Sequence, residues 1–449
     1  MSTPYSLLTD RYELTMAECA LADGSANRRA VFEVFTRSLP AGRAYGVVAG
    51  TSRALDAICN FRFDDDELRW LEDNNIVGRD TLQYLADFSF SGDVYGYLEG
   101  DLHFANSPIL TIEAPLAEAL LLETVVLSIL NHDSAIASAA ARMVDAAGGR
   151  QILEGGSRRT HEQAGVAAAR AAYVAGATST SNLEAGRSYG IPTVGTIGHA
   201  YVLSHSDEMS AFRAQHQLLG SESTYLVDTY DISQGIANAL EVAGPSLGAI
   251  RIDSGDLGAE AKHARDVLDL AGARNTKIVV SGDLDEWSIA ALQPAPIDAY
   301  MVGTQLVTGS GHPTASMIYK LVAIEDNSGE MLPTAKSSPQ KPTVGGRKAA
   351  FRTYDADNTV DGETLIIDLT RHIGEIPGPG RGLQVPMIRD GHLVGQPNLP
   401  ASRAWSLTAR AELPVAARLP DSTVSFDTTM LCNQPNWAPP PKKRATPSA

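Results

Sequence analysis

The sequence predicts an α/β protein: a parallel (β/α) barrel that carries the chemistry, with a second α+β domain assembled from the two ends of the chain. Three observations lead there. Between residues 115 and 335, short apolar stretches alternate with helical patterns at a spacing of roughly 20 to 30 residues, the rhythm of repeated βα units. Polar and Gly-containing motifs recur where those apolar stretches end, the face on which barrel enzymes build their sites. On either side, residues 1–114 and 336–435 show strands with Gly and Pro turns in place of that rhythm, and residues 436–449 form a Pro-rich, basic tail.

The elements follow in order. Thr9 or Asp10 is placed to cap a first helix that runs to about Ala22, with Gly24 where a left-handed stop would fall. "AVFEVFTRSLP" alternates apolar and polar residues from Val31 to Pro40, as a half-buried strand does. Residues 51–59 and 64–73 read as helices, "FSGDVYGYLEGDLHF" and "PILTIEA" as short strands, and the span from Pro115 to Ala147 as two apolar helices. In the middle of the chain, strands are expected in "QILEGG", "AAYVAGA", "PTVGTIG", "TYLVDTY", "GAIRID", "KIVVSG" and "AYMVGT". Helices are expected in "HEQAGVAAARAA", "SDEMSAFRAQHQLL", "DISQGIANALEVA", "DLGAEAKHARDVLDLA" and "DEWSIAALQ". Nearly continuous apolar strands suit a parallel barrel with one strand hidden or irregular; a doubly wound sheet is the alternative, but its GxGxxG opening is absent. Beyond "MIYKLVAIED", the stretch "GRKAAFRTYDADNTVDGETLIID" reads as a hairpin.

Composition narrows the function classes. The chain has 449 residues, 44% hydrophobic and 20% charged, with a formal net charge of -17, which disfavours a nucleic-acid or anionic-membrane surface. Cys19, Cys59 and Cys432 are far apart with no CxxC pair, so a reducing cytoplasm is the expected compartment. The longest apolar run, "PLAEALLLETVVLSIL", is interrupted by Glu118 and Glu123, and no signal peptide precedes it, so no membrane partner is expected.

Chemistry collects at the strand ends. "SGDLDE" and "VGTQ" offer glycines and helix-start amides to a phosphate, or else are tight turns with Asp as an N-cap. Arg158 and Arg159 form a guanidinium pair suited to carboxylate or phosphate oxygens, unless Glu154 or Glu162 holds them in surface salt bridges. His199 in "GTIGHA" is a base or a phosphorylation site, or a structural histidine. "IRIDSGDLG" allows a metal site, an anion cradle or a cap on the next helix. The HExxH and GxxxxGK[ST] patterns are missing, so zincin and P-loop kinase readings lack their main signals.

Taken in order, "LLTDRYELTM", "GSRRTHEQA", "TSTSNLEAG", "GTIGHA", "RIDSGDL", "SGDLDE" and "VGTQLVT", over residues 7 to about 320, resemble the nicotinate phosphoribosyltransferase family. The resemblance implies an irregular (β/α) barrel of the type II phosphoribosyltransferase kind and a homodimer with shared active sites. It also implies nicotinate and phosphoribosyl pyrophosphate as substrates, with ATP hydrolysed in a coupled step and Mg²⁺ bound mainly through substrate pyrophosphate. On this resemblance His199 is the histidine that ATP phosphorylates and Asp253 the carboxylate beside the ribose. Arg158 and Arg251 face the base and the phosphoribosyl group, with Ser181, Ser254 and Gly255 also at the substrate. Gly282, Asp283, Gly303 and Thr304 cradle the 5′-phosphate. Tyr12, supported by Asp10, stacks on the pyridine ring from the neighbouring subunit. One departure stands out: Gly155 occupies a position where the family often carries an aromatic residue. A sister enzyme using nicotinamide or quinolinate, or a catalytically silent phosphosugar-binding barrel, are the alternatives.

Overall fold

The computed structural model describes residues 5–336, 344–395 and 398–432. The chain divides into two compact units, one of residues 135–313 with 418–422, the other of residues 1–134, 314–417 and 423–449. The expected Pro-rich tail at 436–449 lies outside the described residues.

In the first of these, six parallel strands curl into an irregular barrel in the order Ser179–Thr180, Gln151–Glu154, Ala299–Val302, Lys277–Ser281, Ala249–Ile252, Thr224–Leu226. Helices follow the strands, among them Glu162–Val174, Glu208–Leu219, Ile232–Ala243 and Leu257–Leu270. Ile250, Ile252, Ile278, Val280, Tyr300 and Val302 are buried, while Leu153, Ala249, Val279 and Ala299 form a separate apolar cluster. Apolar residues at successive positions are what strands buried on both faces require.

Two expected strands take other forms. "AAYVAGA" does not open a strand: Ala171–Val174 completes the helix from Glu162, and the strand follows at Ser179–Thr180. An alanine-rich run favours helix over strand, and the helix takes it. "PTVGTIG" is irregular apart from one bridge between Thr180 and Thr193, since Pro192 lacks a donor and two glycines weaken any ladder.

The other unit is built on a seven-stranded sheet in the order Met331–Pro333, Met317–Glu325, Arg29–Thr36, Leu110–Pro115, Asp93–Tyr97, Gln384–Arg389, His392–Leu393. Strands from both ends of the chain therefore share one sheet. The strand Arg29–Thr36 was expected to be half-buried, yet only its first residue is exposed. Ala30, Phe32 and Val34 enter the main core, Val31 packs with Val322 and Leu369, and Glu33 is buried against Lys348 Nζ at 2.7 Å. The hairpin of Lys348–Tyr354 with Val360–Ile367 supplies that lysine, and its neighbour Arg347 pairs with Glu113 at 2.7 Å. A polar residue at an alternating position thus marks a buried ion pair here.

The boundaries fall at 134/135 and 313/314, where the sequence pattern placed them at 114/115 and 335/336. The reason is packing: Ala117, Leu121, Val126 and Leu130 are buried in the core of the sheet unit, and Met317–Glu325 pairs with Arg29–Thr36. Conversely, residues 418–422 join the barrel unit, where Trp287 Nε1 donates to Asp421 at 2.8 Å and Arg142 donates to the Pro420 carbonyl.

Helix Arg11–Asp23 ends at Gly24 with φ of 80°, the left-handed stop expected there. Its start differs. Asp10 occupies the N-cap position without a side-chain cap bond, and Thr9 donates to Glu13, which also accepts the Thr124 amide at 2.8 Å.

In the same unit His103 is fully buried beneath Gly46, where a Cβ would come within 2.1 Å of its Nε2. Burial, with the nearby Arg352 charge and against a backbone bond at Phe104, pushes its imidazole down to about 4. A histidine protonated more readily unfolded than folded contributes stability above its unfolded value near 6.5, lost as the pH falls toward 4. His103→Phe should flatten the curve of unfolding free energy against pH in that window by up to about 3 kcal/mol, read from urea unfolding. An unchanged slope would remove His103 from the acid response.

Candidate active site

The register of the barrel decides which loops meet. Glu154 pairs with Val302, Met301 with Ser281, and Val280 with Ile252, so four adjacent parallel strands end side by side. Their loops enclose a cavity of about 220 Å³ lined by Gly155, Arg158, Arg159, Arg251, Asp253, Ser281, Gly282, Asp283, Met301, Gly303 and Thr304. Residues separated by up to 149 positions (155 to 304) in the chain thereby become neighbours. A larger cavity of about 1050 Å³ runs from the first residues of the strands, among them Gln151, Thr224, Ala249 and Lys277, up to Leu153, Val279 and Met301, the last of which it shares with the smaller cavity; it holds none of the expected site residues. Chemistry, not volume, selects the smaller one.

Asp253 is the hub. Its Oδ1 accepts from Arg251 Nη2 at 2.8 Å and from the Ser281 hydroxyl. Arg251 also donates to Ser281 Oγ at 2.9 Å and Thr196 Oγ1 at 3.1 Å, which fixes its guanidinium plane. Burial opposes ionisation of Asp253, but the bonds from Ser281 and Arg251, with the charges of Arg251 and His199, outweigh it and hold the carboxyl below its usual value. The group is therefore a carboxylate at neutral pH.

The strand-end pattern also holds a residue that the motif reading missed. Asp228, just beyond strand Thr224–Leu226, accepts from the Asp253 amide at 3.0 Å and from Ser254 Oγ at 2.7 Å through one oxygen. Its other oxygen lies 3.1 Å from His199 Nε2. "TYLVDTY" carried the signal, an acidic residue at a strand end, but no neighbouring motif drew attention to it. His199 opens the helix His199–Leu203 and is 40% exposed; it does not line the 220 Å³ cavity but reaches Asp253 through Asp228.

Arg158 and Arg159 lie exposed on the turn Ser157–Arg159. The carboxylates that would have held them in salt bridges are engaged elsewhere: Glu162 lies 3.5 Å from His161, and buried Glu154 accepts from Thr180 Oγ1 and the Gly156 amide, both at 2.5 Å. Neither arginine has an ion-pair partner among the described residues. Glu154, weighed in the sequence only as a salt-bridge partner for these arginines, is instead a buried anchor beneath their turn. Through Thr180 it reaches Asn182, whose Nδ2 donates to Ser157 Oγ at 2.9 Å, so the arginine turn is tied to the next loop. Gly156 closes this corner, because a Cβ would stand 2.3 Å from Val307 Cγ1.

The phosphate-cradle candidates lie at the turns that follow two of these strands. Gly282 and Asp283 have consecutive positive φ values of 123° and 46°, and Gly303 precedes the short helix Thr304–Val307. Asp256 is a helix cap, accepting the amides of Gly258 and Ala259 at 3.1 Å. Ser181, Ser254 and Gly255 are exposed and do not line the cavity; the Ser181 amide bonds the Glu154 carbonyl at 2.8 Å. Asp10 and Tyr12 belong to the sheet unit. There the Tyr12 hydroxyl is pushed up to about 12, chiefly by burial and then by the Glu123 and Glu13 charges, while the residue as a whole stays 45% exposed.

Two family models match the chain. Residues 7–131 match the nicotinate phosphoribosyltransferase N-terminal domain, and residues 136–310 match the quinolinate phosphoribosyl transferase C-terminal domain. A nicotinate phosphoribosyltransferase of Mycobacterium tuberculosis is 52% identical over 422 residues, covering 92% of each chain. The chain belongs to the nicotinate phosphoribosyltransferase family. Another relative, the nicotinate phosphoribosyltransferase of Bacillus subtilis, is 42% identical over 79% of this chain and 74% of its own. Among solved structures, human nicotinic acid phosphoribosyltransferase superposes with a TM-score of 0.81 at 25% identity, covering 94% of this chain and 97% of that one. The protein is thus an enzyme of this family with the expected barrel and accompanying α+β unit. Among the described residues, no helix is long and apolar enough to cross a membrane.

Glu154→Ala leaves the Gly156 amide and the Thr180 hydroxyl without their acceptor in a buried corner, which should cost about 1 to 3 kcal/mol. Turnover should fall more than tenfold as the arginine turn loosens, whereas Glu154→Gln, retaining one acceptor oxygen, should recover most of the stability. Equal urea midpoints for wild type and both variants would show that the carboxylate anchors nothing.

Proposed function

We propose that this enzyme joins nicotinate to phosphoribosyl pyrophosphate, giving nicotinate mononucleotide and pyrophosphate for NAD salvage, with ATP hydrolysis coupled through His199. The observation that carries the reading is the composition of one small cavity, where three guanidinium groups and three glycine-bearing loops surround a hydrogen-bonded carboxylate, Asp253.

The reaction breaks the bond between C1 of the ribose and the pyrophosphate oxygen, which leaves with the electron pair. The nicotinate ring nitrogen supplies the pair for the new C–N bond. Positive charge builds on the ribose as the first bond lengthens, and a fixed carboxylate stabilises it without having to reorganise. Asp253 suits that task because Arg251 and Ser281 hold it ionised and in place. Arg158 and Arg159 offer forks to the nicotinate carboxylate and to phosphate oxygens, and the loops at Gly282 and Gly303 offer backbone amides to the 5′-phosphate. Asp253 and Asp283 also present hard oxygen donors, the kind Mg²⁺ takes, to a cation carried mainly by pyrophosphate.

The His199 contact supports the coupling. If Asp228 accepts the Nε2 proton, the ring's lone pair sits on Nδ1, the nitrogen that would attack the terminal phosphorus of ATP and release ADP. Later loss of that phosphoryl group to water draws mononucleotide formation forward. The family reading adds a homodimer with shared sites, in which Tyr12 of one subunit, backed by Asp10, stacks on the base held by the other, and a cytoplasmic location.

Supplied with phosphoribosyl pyrophosphate, Mg²⁺ and ATP, the purified protein should form mononucleotide from nicotinate in preference to nicotinamide or quinolinate. A phosphoryl mass increase localised to His199 should appear after ATP and vanish in His199→Ala. Preference for another base would move the enzyme to a sister activity, and consumption of none of the three would leave a silent phosphosugar-binding barrel. Asp253→Asn should lower kcat by at least about a hundredfold with little change in the unfolding midpoint. Mixing Asp253→Asn with Tyr12→Ala subunits should restore part of the activity through one intact site; no recovery would argue against sites shared between subunits.

A further inference from the structure

A flat aromatic acid needs two things from its site: charge for the carboxylate and an apolar surface for the ring, whose burial supplies most of the non-directional affinity. The cavity is rich in the first and poor in the second. Among its lining residues Met301 is the one large apolar side chain; the others are charged, hydroxyl-bearing or glycine.

We infer that Met301 is the floor on which the pyridine ring of the base lies, and that it sets the affinity for the base; this rests on the functional reading above. Its position is fixed on two sides. In register it stands opposite Ser281 and Leu153, and it packs against the apolar cluster of Leu153, Ala249, Val279 and Ala299. Toward Gly155, a Cβ on that glycine would lie 3.0 Å from Met301 Cγ and 3.4 Å from Sδ, so the thioether already covers the space that a side chain at 155 would enter. Bare backbone at Gly155 leaves that space to the Met301 side chain. A polarizable sulfur makes favourable contacts with aromatic rings, and an unbranched chain adapts to the ring's position. Arg158 and Arg251, lining the same cavity, are placed to meet the carboxylate.

The test titrates nicotinate and, separately, phosphoribosyl pyrophosphate into wild type, Met301→Ala, Met301→Gln and Met301→Leu by calorimetry, with steady-state KM values for both and thermal midpoints to verify folding. Loss of the floor should weaken nicotinate about tenfold in the Ala and Gln variants, leave phosphoribosyl pyrophosphate within about twofold, and be largely repaired by Leu. Gln keeps the length of the side chain, so it separates polarity from a cavity defect if the Ala variant folds poorly. Equal weakening of both ligands, or unchanged nicotinate binding in the Gln variant, overturns the assignment. A wild-type protein that binds nicotinate but forms no mononucleotide refutes the functional reading while the Met301 comparison still stands, and one that binds no nicotinate refutes both.

Discussion

Parallel pairing of the central strands is the constraint on which the site depends. In a parallel ladder each strand must be re-entered from the same end, so every connection after a strand leaves on one face and every return lies on the other. The four strands that carry Glu154, Arg251, Ser281 and Met301 are consecutive in the sheet although their loops lie far apart in the chain. A slip of one residue in Lys277–Ser281 would exchange Ser281 for Val280 beside Asp253 and remove a hydrogen bond from the hub. Register is held by burial on both faces and by close approaches that admit no side chain, as where Gly282 lies 2.9 Å, measured from a would-be Cβ, from the Asp253 carbonyl.

Within that frame, electrostatics are local. The chain carries a net charge of -17, yet the cavity gathers Arg158, Arg159 and Arg251 around Asp253 and Asp283. Global charge therefore says little about an anion site whose partners lie within a few ångströms, because screening confines exposed charges to about a Debye length. Asp228 links His199 to Asp253, since one carboxylate contacts both the His199 ring and the Asp253 amide. A change in the charge of His199 would be felt at Asp253 both directly and through that side chain.

The sheet unit uses charge differently. Glu33 with Lys348 and Glu113 with Arg347 are buried pairs that join strands from opposite ends of the chain. Removing two charges from water consumes much of the attraction gained, so such pairs specify which segments meet more than they add net stability. Breaking one partner would leave a buried charge alone, which is the costly outcome.

Periodicity and motif order in the sequence determined the barrel, most of its helices, the strand ends that carry chemistry, and the family. Those are local properties: an apolar run of four residues or a Gly-Asp turn acts much the same wherever it sits. Ala171–Val174 is a local exception, an alanine-rich run that completes the helix before it. The other differences lie where distant residues decide: Arg29–Thr36 lost its solvent face because a hairpin more than 300 residues later pairs Lys348 with Glu33. Likewise Asp228, Glu154 and Met301 have no motif of their own; each matters through a contact with a residue at least 25 positions away, as with Glu154 and Thr180, Asp228 and Asp253, or Met301 and Gly155. Hydrogen bonds and van der Waals contacts act over a few ångströms in space, so which residues share them is decided only when the chain has folded.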